Sequence, residues 1–352
     1  MKTIVKLTVA GMIAATSLGT SMSWAQAEEE KILYLYNWTD YFPLELLQKF
    51  EKETGIKVTY DGYDSMETML AKLQSGGGNY DVVVISDWMV PTAIKGGLLQ
   101  EISASTMPNF NNMKAAFKQP EYDPQRNYTA PYLWGTTGIA YDSAQVPGGK
   151  LDDSWKEFFE PRPELAGKIA ALDVTAELYT AAAFYAGVDQ CTESPEDAKK
   201  ILEILEKQKP SLKLYSADST VDRMAAGEVA IHHLWNGATA RAQKQRSTIR
   251  YIYPKEGVPF AGDNFTVPTG AAHPENAKLF INWMMAPENA AAASNAIAYS
   301  NAIESDAFLS DDWRKSEAIN MPAEFADRLK PMADCSSKAR ELRDKVWAKL
   351  KS

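Results

Sequence analysis

The chain has 352 residues, of which 45% are hydrophobic and 11% aromatic, a composition typical of globular proteins and not of disordered chains. Asp and Glu outnumber Lys and Arg by 46 to 37, so the net charge is −9. An acidic chain without basic clusters lacks the charge pattern of proteins that bind nucleic acid or anionic membranes, and we expect neither partner.

The first predicted element is a signal peptide over residues 1–27. Lys2 and Lys6 lie before a short apolar stretch, and small-x-small patterns predict cleavage after Ala25 or Ala27. An uncleaved membrane anchor is the alternative, but the apolar stretch is too short to span a bilayer comfortably. The sequence therefore predicts an exported protein.

The rest of the chain is predicted to alternate strands and helices. Apolar runs predict strands at residues 32–36, 57–60, 82–85, 168–172 and 229–234. Helices are predicted after Pro43, after a capping-box-like pair of Asp64 and Glu67, over Thr175–Ala186, and from Ser194 to Lys207. Residues 128–141 and 251–267 are expected to be extended connections. This order favours two α/β lobes joined by crossings, with a ligand outside the carboxyl ends of the parallel strands.

Motifs for catalysis, metals and cofactors are absent from the sequence. His232 and His233 lie in a predicted strand, His273 lies in a loop, and no metal-ligand spacing, phosphate-binding loop or G-x-S-x-G pattern occurs. We therefore expect no enzyme activity, no metal and no cofactor. A secreted enzyme that acts on amines stays as an alternative, because paired carboxylates need no motif.

The chain has two cysteines, Cys191 and Cys335. Export to an oxidising compartment makes a disulfide between them possible. The alternative is a pair of free, buried thiols.

Aromatic residues lie next to carboxylates where predicted strands end. Trp38 is close to Asp40, Asp87 precedes Trp88, and Trp235 ends a predicted strand. Each residue alone could be structural. Together they suit a slender cation, because aromatic faces pack on methylenes and attract ammonium groups, while carboxylates accept charge-assisted hydrogen bonds.

Several motifs resemble one known family. The blocks YNWTDY at residues 36–41, FEKETGIKV at 50–58, YDVVVIS at 80–86, PYLWGTTGI at 131–139, GEV at 227–229, LWNG at 234–237 and PKEG at 254–257 are similar to the periplasmic putrescine/spermidine-binding proteins of ABC transporters. The resemblance implies an α/β fold of the two-lobed type II periplasmic binding protein class, each lobe a mostly parallel sheet flanked by helices. Lobe 1 would comprise residues 28–135 and 256–303, and lobe 2 residues 136–255 and 304–352, joined by hinge crossings.

The resemblance also implies a function: a monomer that captures a polyamine between the lobes and delivers it to an inner-membrane ABC permease. The positions that match the family's binding residues are Trp38, Thr39, Asp40, Tyr41, Ser86, Trp88, Asp173, Glu177, Trp235, Asp263 and Tyr299. Asp87 is an additional acid beside them.

Three departures from the family pattern affect the expected ligand. Ala261 stands where members usually carry Trp or Phe, and Val174 and Ala238 replace acids found in some members. The preferred polyamine therefore stays open. Another small cationic or zwitterionic solute, such as an agmatine-like amine or an amino acid derivative, is the alternative.

Overall fold

The structure is a computed structural model, and it describes residues 29–76 and 79–352. The predicted signal peptide and residues 77–78 lie outside the described residues. Within the described part of the chain, no helix is both long enough and apolar enough to cross a membrane.

Strands and helices alternate through most of the chain. The strands are β1 (Ile32–Trp38), β2 (Lys57–Tyr63), β3 (Val82–Ser86), β4 (Ala130–Asp142), β5 (Ile169–Ala171), β6 (Leu212–Tyr215), β7 (Ile231–Trp235), β8 (Ile249–Ile252), β9 (Val258–Thr266), β10 (Ser300–Asn301) and β11 (Leu329–Pro331). The α-helices are α1 (Leu44–Thr54), α2 (Met66–Gln74), α3 (Val90–Lys95), α4 (Lys156–Phe159), α5 (Thr175–Ala186), α6 (Pro195–Gln208), α7 (Thr220–Ala225), α8 (Asn236–Gln245), α9 (Pro274–Met284), α10 (Pro287–Ile297), α11 (Asp311–Lys315) and α12 (Ser337–Lys351).

The strands form a continuous hydrogen-bonded order, β2-β1-β3-β9-β4-β7-β5-β6. Strand β1 pairs in parallel with β2 and β3, and β5 pairs in parallel with β6 and β7. The two central strands, β4 and β9, pair antiparallel with each other and with their neighbours β7 and β3. The predicted α/β architecture is confirmed, with antiparallel pairing where the two parallel groups meet.

Strand β4 connects two halves of the molecule. Its first part, through Thr136, pairs with β9, whereas the part from Thr137 onward pairs with β7 and, from Ile139, with β8. The chain returns from β8 to β9 through residues 253–257. Each half has its own hydrophobic core, one around Phe50 and Phe280 and one around Trp155 and Phe158. The predicted lobe boundaries at residues 135 and 255 lie within these two connections, and the assignment of lobes stays a prediction.

Local sequence signals explain several helix ends, with one correction. Gly55 and Gly187 end α1 and α5 in the left-handed conformation, with φ of 75° and 67°. The predicted cap at Asp64 is wrong, because Ser65 is the residue that caps α2 and accepts a hydrogen bond from the Thr68 N–H. The Asp64 carboxylate instead accepts a hydrogen bond from the Thr39 hydroxyl.

A disulfide joins Cys191 to Cys335, whose Cα atoms lie 5.0 Å apart. The bond links the turn before α6 to the segment before α12, and α12 packs against both α5 and α6. The predicted pairing is confirmed, and the alternative of two free thiols is wrong.

The disulfide gives a first testable prediction. It closes a loop of 144 residues, so the double variant Cys191→Ser, Cys335→Ser should lose about 2–4 kcal/mol of unfolding free energy. Urea denaturation of both proteins measures the difference. A reductant should lower the stability of the wild type and leave the variant unchanged. Equal midpoints for the oxidised wild type and the variant would contradict the prediction.

Candidate ligand-binding site

A cavity of about 630 Å³ lies between the two halves, within the usual size range of small-molecule sites. Both halves contribute to its walls. The lining includes Trp38, Tyr41, Ser86 and Asp263 from the first half, Thr137, Glu177, Trp235 and Arg241 from the second, and Tyr299 where the halves meet.

Asp263 supplies a buried carboxylate from the first half. Strand pairing places it directly opposite Ser86, because β3 and β9 are antiparallel neighbours at this point. One carboxylate oxygen accepts hydrogen bonds from the Ser86 hydroxyl at 2.5 Å and from the Trp38 indole N–H at 3.2 Å. Burial raises the pKa of Asp263, while hydrogen bonds from Ser86, Tyr41 and Trp38 lower it, and the net direction is upward.

Glu177 supplies a second buried carboxylate, from the first turn of α5 in the other half. It accepts hydrogen bonds from the Thr137 hydroxyl at 2.6 Å and from the Trp235 indole N–H at 2.9 and 3.0 Å. Burial raises the pKa of Glu177 above its ordinary value, against the lowering by these hydrogen bonds. The two halves therefore present similar arrangements, in each of which a buried carboxylate accepts hydrogen bonds from at least one hydroxyl group and from one tryptophan indole.

Tyr299 fills the space where the halves meet. Its ring makes an edge contact with Tyr41 of the first half, with ring centres 5.2 Å apart. On the other side it lies against Gly237, where an added Cβ would be 2.3 Å from the ring, and against Gly135, where a Cβ would be 2.6 Å away. Both glycines are therefore required by the close approach of this aromatic ring.

Acidic side chains dominate the walls of the cavity. They are Asp40, Asp64, Glu67, Glu177, Asp218, Asp222 and Asp263, whereas the basic side chain in the lining is Arg241. Clustered carboxylates with low-dielectric walls create a negative potential that attracts cations. Asp218 and Asp222 and the basic Arg241 were not predicted, because they lie in a loop and in helices without any motif around them.

Most of the predicted binding residues line the cavity. These are Trp38, Thr39, Asp40, Tyr41, Ser86, Trp88, Glu177, Trp235, Asp263 and Tyr299. Ala261, the position of the predicted missing wall, also lines it, as does the neighbouring Phe260.

Two predicted acids do not reach the cavity. The Asp173 carboxylate lies on the surface and pairs with the Lys351 ammonium at 2.9 Å, while the next residue, Val174, faces the cavity instead. Asp87 accepts hydrogen bonds from the Gly262 and Trp88 N–H groups, so it holds the β9 backbone beside Asp263. Burial raises the pKa of Asp87 to about 7.

Comparison with known proteins identifies the family. The model of the bacterial extracellular solute-binding proteins matches residues 45–322. The chain belongs to this family of bacterial extracellular solute-binding proteins. It is 32% identical to the putrescine-binding periplasmic protein SpuD of Pseudomonas aeruginosa, over 100% of this chain and 98% of that protein. It is 34% identical to the spermidine/putrescine-binding periplasmic protein of Escherichia coli, over 82% of each chain.

A solved structure extends the comparison to the fold. A putative spermidine/putrescine ABC transporter protein of Listeria monocytogenes superposes with a TM-score of 0.86 and 28% identity, over 92% of this chain and 99% of that one. The predicted type II periplasmic binding protein fold is confirmed. The resemblance to the polyamine-binding members of this solute-binding family is confirmed as well.

The contact between Gly237 and Tyr299 gives a second prediction. At exposed positions in the interior of a helix, Gly→Ala usually stabilises the protein. At Gly237 the new methyl group would clash with the Tyr299 ring. We expect Gly237→Ala to lower the unfolding free energy by about 1–3 kcal/mol. In a double-mutant cycle, Tyr299→Ala should remove most of that loss, since the two changes share one contact. A stabilising effect of Gly237→Ala alone would contradict the geometry.

Proposed function

We propose that this solute-binding protein captures an aliphatic amine of the putrescine/spermidine class in the cavity between its halves and delivers it to the permease of an ABC transporter. The observation that carries the proposal is the pair of buried carboxylates, Asp263 and Glu177, presented from opposite halves. The names of the relatives in Pseudomonas and Escherichia support the same ligand class.

The chemistry of the cavity suits a chain of methylenes with charged ends. A buried carboxylate without a cation is unfavourable, so an ammonium group that reaches Asp263 or Glu177 supplies a missing partner. The ring faces of Trp38, Trp235 and Tyr299 offer apolar surface to the methylenes and cation–π attraction to the ammonium groups.

Binding to both halves provides a mechanism for closure. A ligand that contacts Asp263 and Glu177 together binds the closed arrangement more tightly than an open one, and it therefore shifts the population toward closure. Rotation about the connections at Thr136–Thr137 and residues 253–257 would be the hinge motion. The permease would then recognise the closed, loaded form.

The setting of this function follows from the same proposal. We propose that residues 1–27 direct export and are removed, that the protein acts in the periplasm as a monomer, and that it releases its amine chemically unchanged. Its membership in a solute-binding transport family supports a carrier and not an enzyme.

Asp263 gives the test of this function. Asp263→Ala leaves the ligand's ammonium without its partner in a buried site, which costs about 3–5 kcal/mol, or about two to three and a half orders of magnitude in Kd. Calorimetric titration with putrescine, spermidine and agmatine measures the effect. Asp173→Ala is the matched control, because it removes an acid outside the cavity and should change Kd less than about twofold. A wild type that binds none of these amines would overturn the proposal.

Ala261 gives a further prediction about the ligand's fit. Because Ala261 lines the cavity two residues before Asp263 on β9, Ala261→Trp should add an aromatic wall. Cation–π attraction of about 0.5–2 kcal/mol would raise the affinity for slender polyamines by up to about thirtyfold. Bulkier amines should be excluded, because the new side chain fills the space they need. Titrations of both proteins with putrescine, spermidine and agmatine compare the affinities. If the ratios of the Kd values for the three amines were the same in both proteins, Ala261 would have no role in selectivity.

A further inference from the structure

Arg241 is a basic side chain in the wall of a cavity whose other charged groups are acidic. It lies on α8, and its Nη1 donates a hydrogen bond to the main-chain carbonyl of Ile297. Its guanidinium carbon lies 5.9 Å from the centre of the Tyr299 ring. No carboxylate among the described residues comes within 4.0 Å of it, so its charge is not neutralised by an ion pair there.

The charges of Arg241 and of the two buried carboxylates all influence the Tyr299 hydroxyl. Burial raises the pKa of the Tyr299 hydroxyl, the Arg241 guanidinium lowers it, and the Glu177 and Asp263 carboxylates raise it. All three charges therefore act on the same hydroxyl. The cavity has an anionic region at Asp263 and Glu177 and a cationic position at Arg241.

We propose that Arg241 is a charge-selectivity residue that discriminates against amines carrying a cationic group at its end of the cavity. The positive guanidinium repels a nearby ammonium in a partly desolvated site. Only one of its N–H donors is used within the described residues, so a neutral acyl oxygen or a carboxylate could accept a hydrogen bond from the others. This inference rests on the proposed function and narrows its ligand.

The ligand class that follows is a short diamine, or a longer amine whose far end is neutral or anionic. A triamine such as spermidine carries one positive charge more than the two buried carboxylates, and that third charge lies in a cavity whose basic side chain is Arg241. Acetylation of one terminal amine removes that charge and keeps the length of the chain. The effect of ligand charge on affinity can therefore be measured separately from the effect of chain length, by comparing spermidine with its acetylated forms.

The test is calorimetric titration of the wild type with spermidine, both monoacetylated spermidines, putrescine and 4-aminobutyrate. We expect at least one monoacetylated spermidine to bind about tenfold more tightly than spermidine. Arg241→Met, which keeps an unbranched apolar stem but removes the charge, should bring that ratio of affinities to within about threefold by strengthening spermidine binding. Arg241→Lys keeps a positive charge and should preserve the discrimination.

Lys244→Met is the matched control, because Lys244 lies on the same helix outside the cavity lining and the substitution changes the net charge equally. Lys244→Met should leave the ratio of the affinities for acetylated spermidine and spermidine unchanged. Wild-type protein that binds spermidine more tightly than both acetylated forms would overturn the inference without any variant. The inference would also be overturned if Arg241→Met weakened the binding of all ligands equally. It would be overturned as well if Arg241→Lys no longer discriminated between spermidine and its acetylated forms. Wild type that binds no amine at all would overturn the proposed function itself.

Discussion

The structure depends on one electrostatic constraint, the burial of two carboxylates in a cavity that supplies them with hydrogen bonds but with no ion-pair partner among the described residues. Asp263 and Glu177 come from different halves, and each is oriented by a hydroxyl and an indole N–H. Burial raises the pKa of both groups, because the loss of hydration outweighs the hydrogen bonds that favour the ionised carboxylates. A ligand with two ammonium groups would supply an ion-pair partner to both carboxylates at once.

The two connections between the halves involve the strands that position the buried carboxylates. Thr137, which orients Glu177, lies in β4 at the point where the strand changes its pairing partner. Asp263 lies in β9, the strand that follows the second connection. Tyr299 contacts both halves through Tyr41 and Gly237. A change in the angle between the halves would therefore move the carboxylates and the aromatic walls relative to each other.

The parts of the site that local patterns specify could be predicted from the sequence. Trp38, Trp235 and Asp263 could be found because strand periodicity and the family motifs place them at strand ends or crossings. The direction of a side chain was harder to predict, since Asp173 pairs with Lys351 while its neighbour Val174 faces the cavity. Asp87 supports the backbone near Asp263. Arg241 lies in the middle of a helix, and only the tertiary packing brings it to the wall of the cavity.

The central claim is that an amine joins the two halves through Asp263 and Glu177. A crystal structure of the mature protein with putrescine tests this claim most directly. We predict one ligand nitrogen at about 2.7–2.9 Å from a carboxylate oxygen of Asp263 and the other at a similar distance from Glu177. Putrescine bound elsewhere, or with both nitrogens remote from these two carboxylates, would contradict the account.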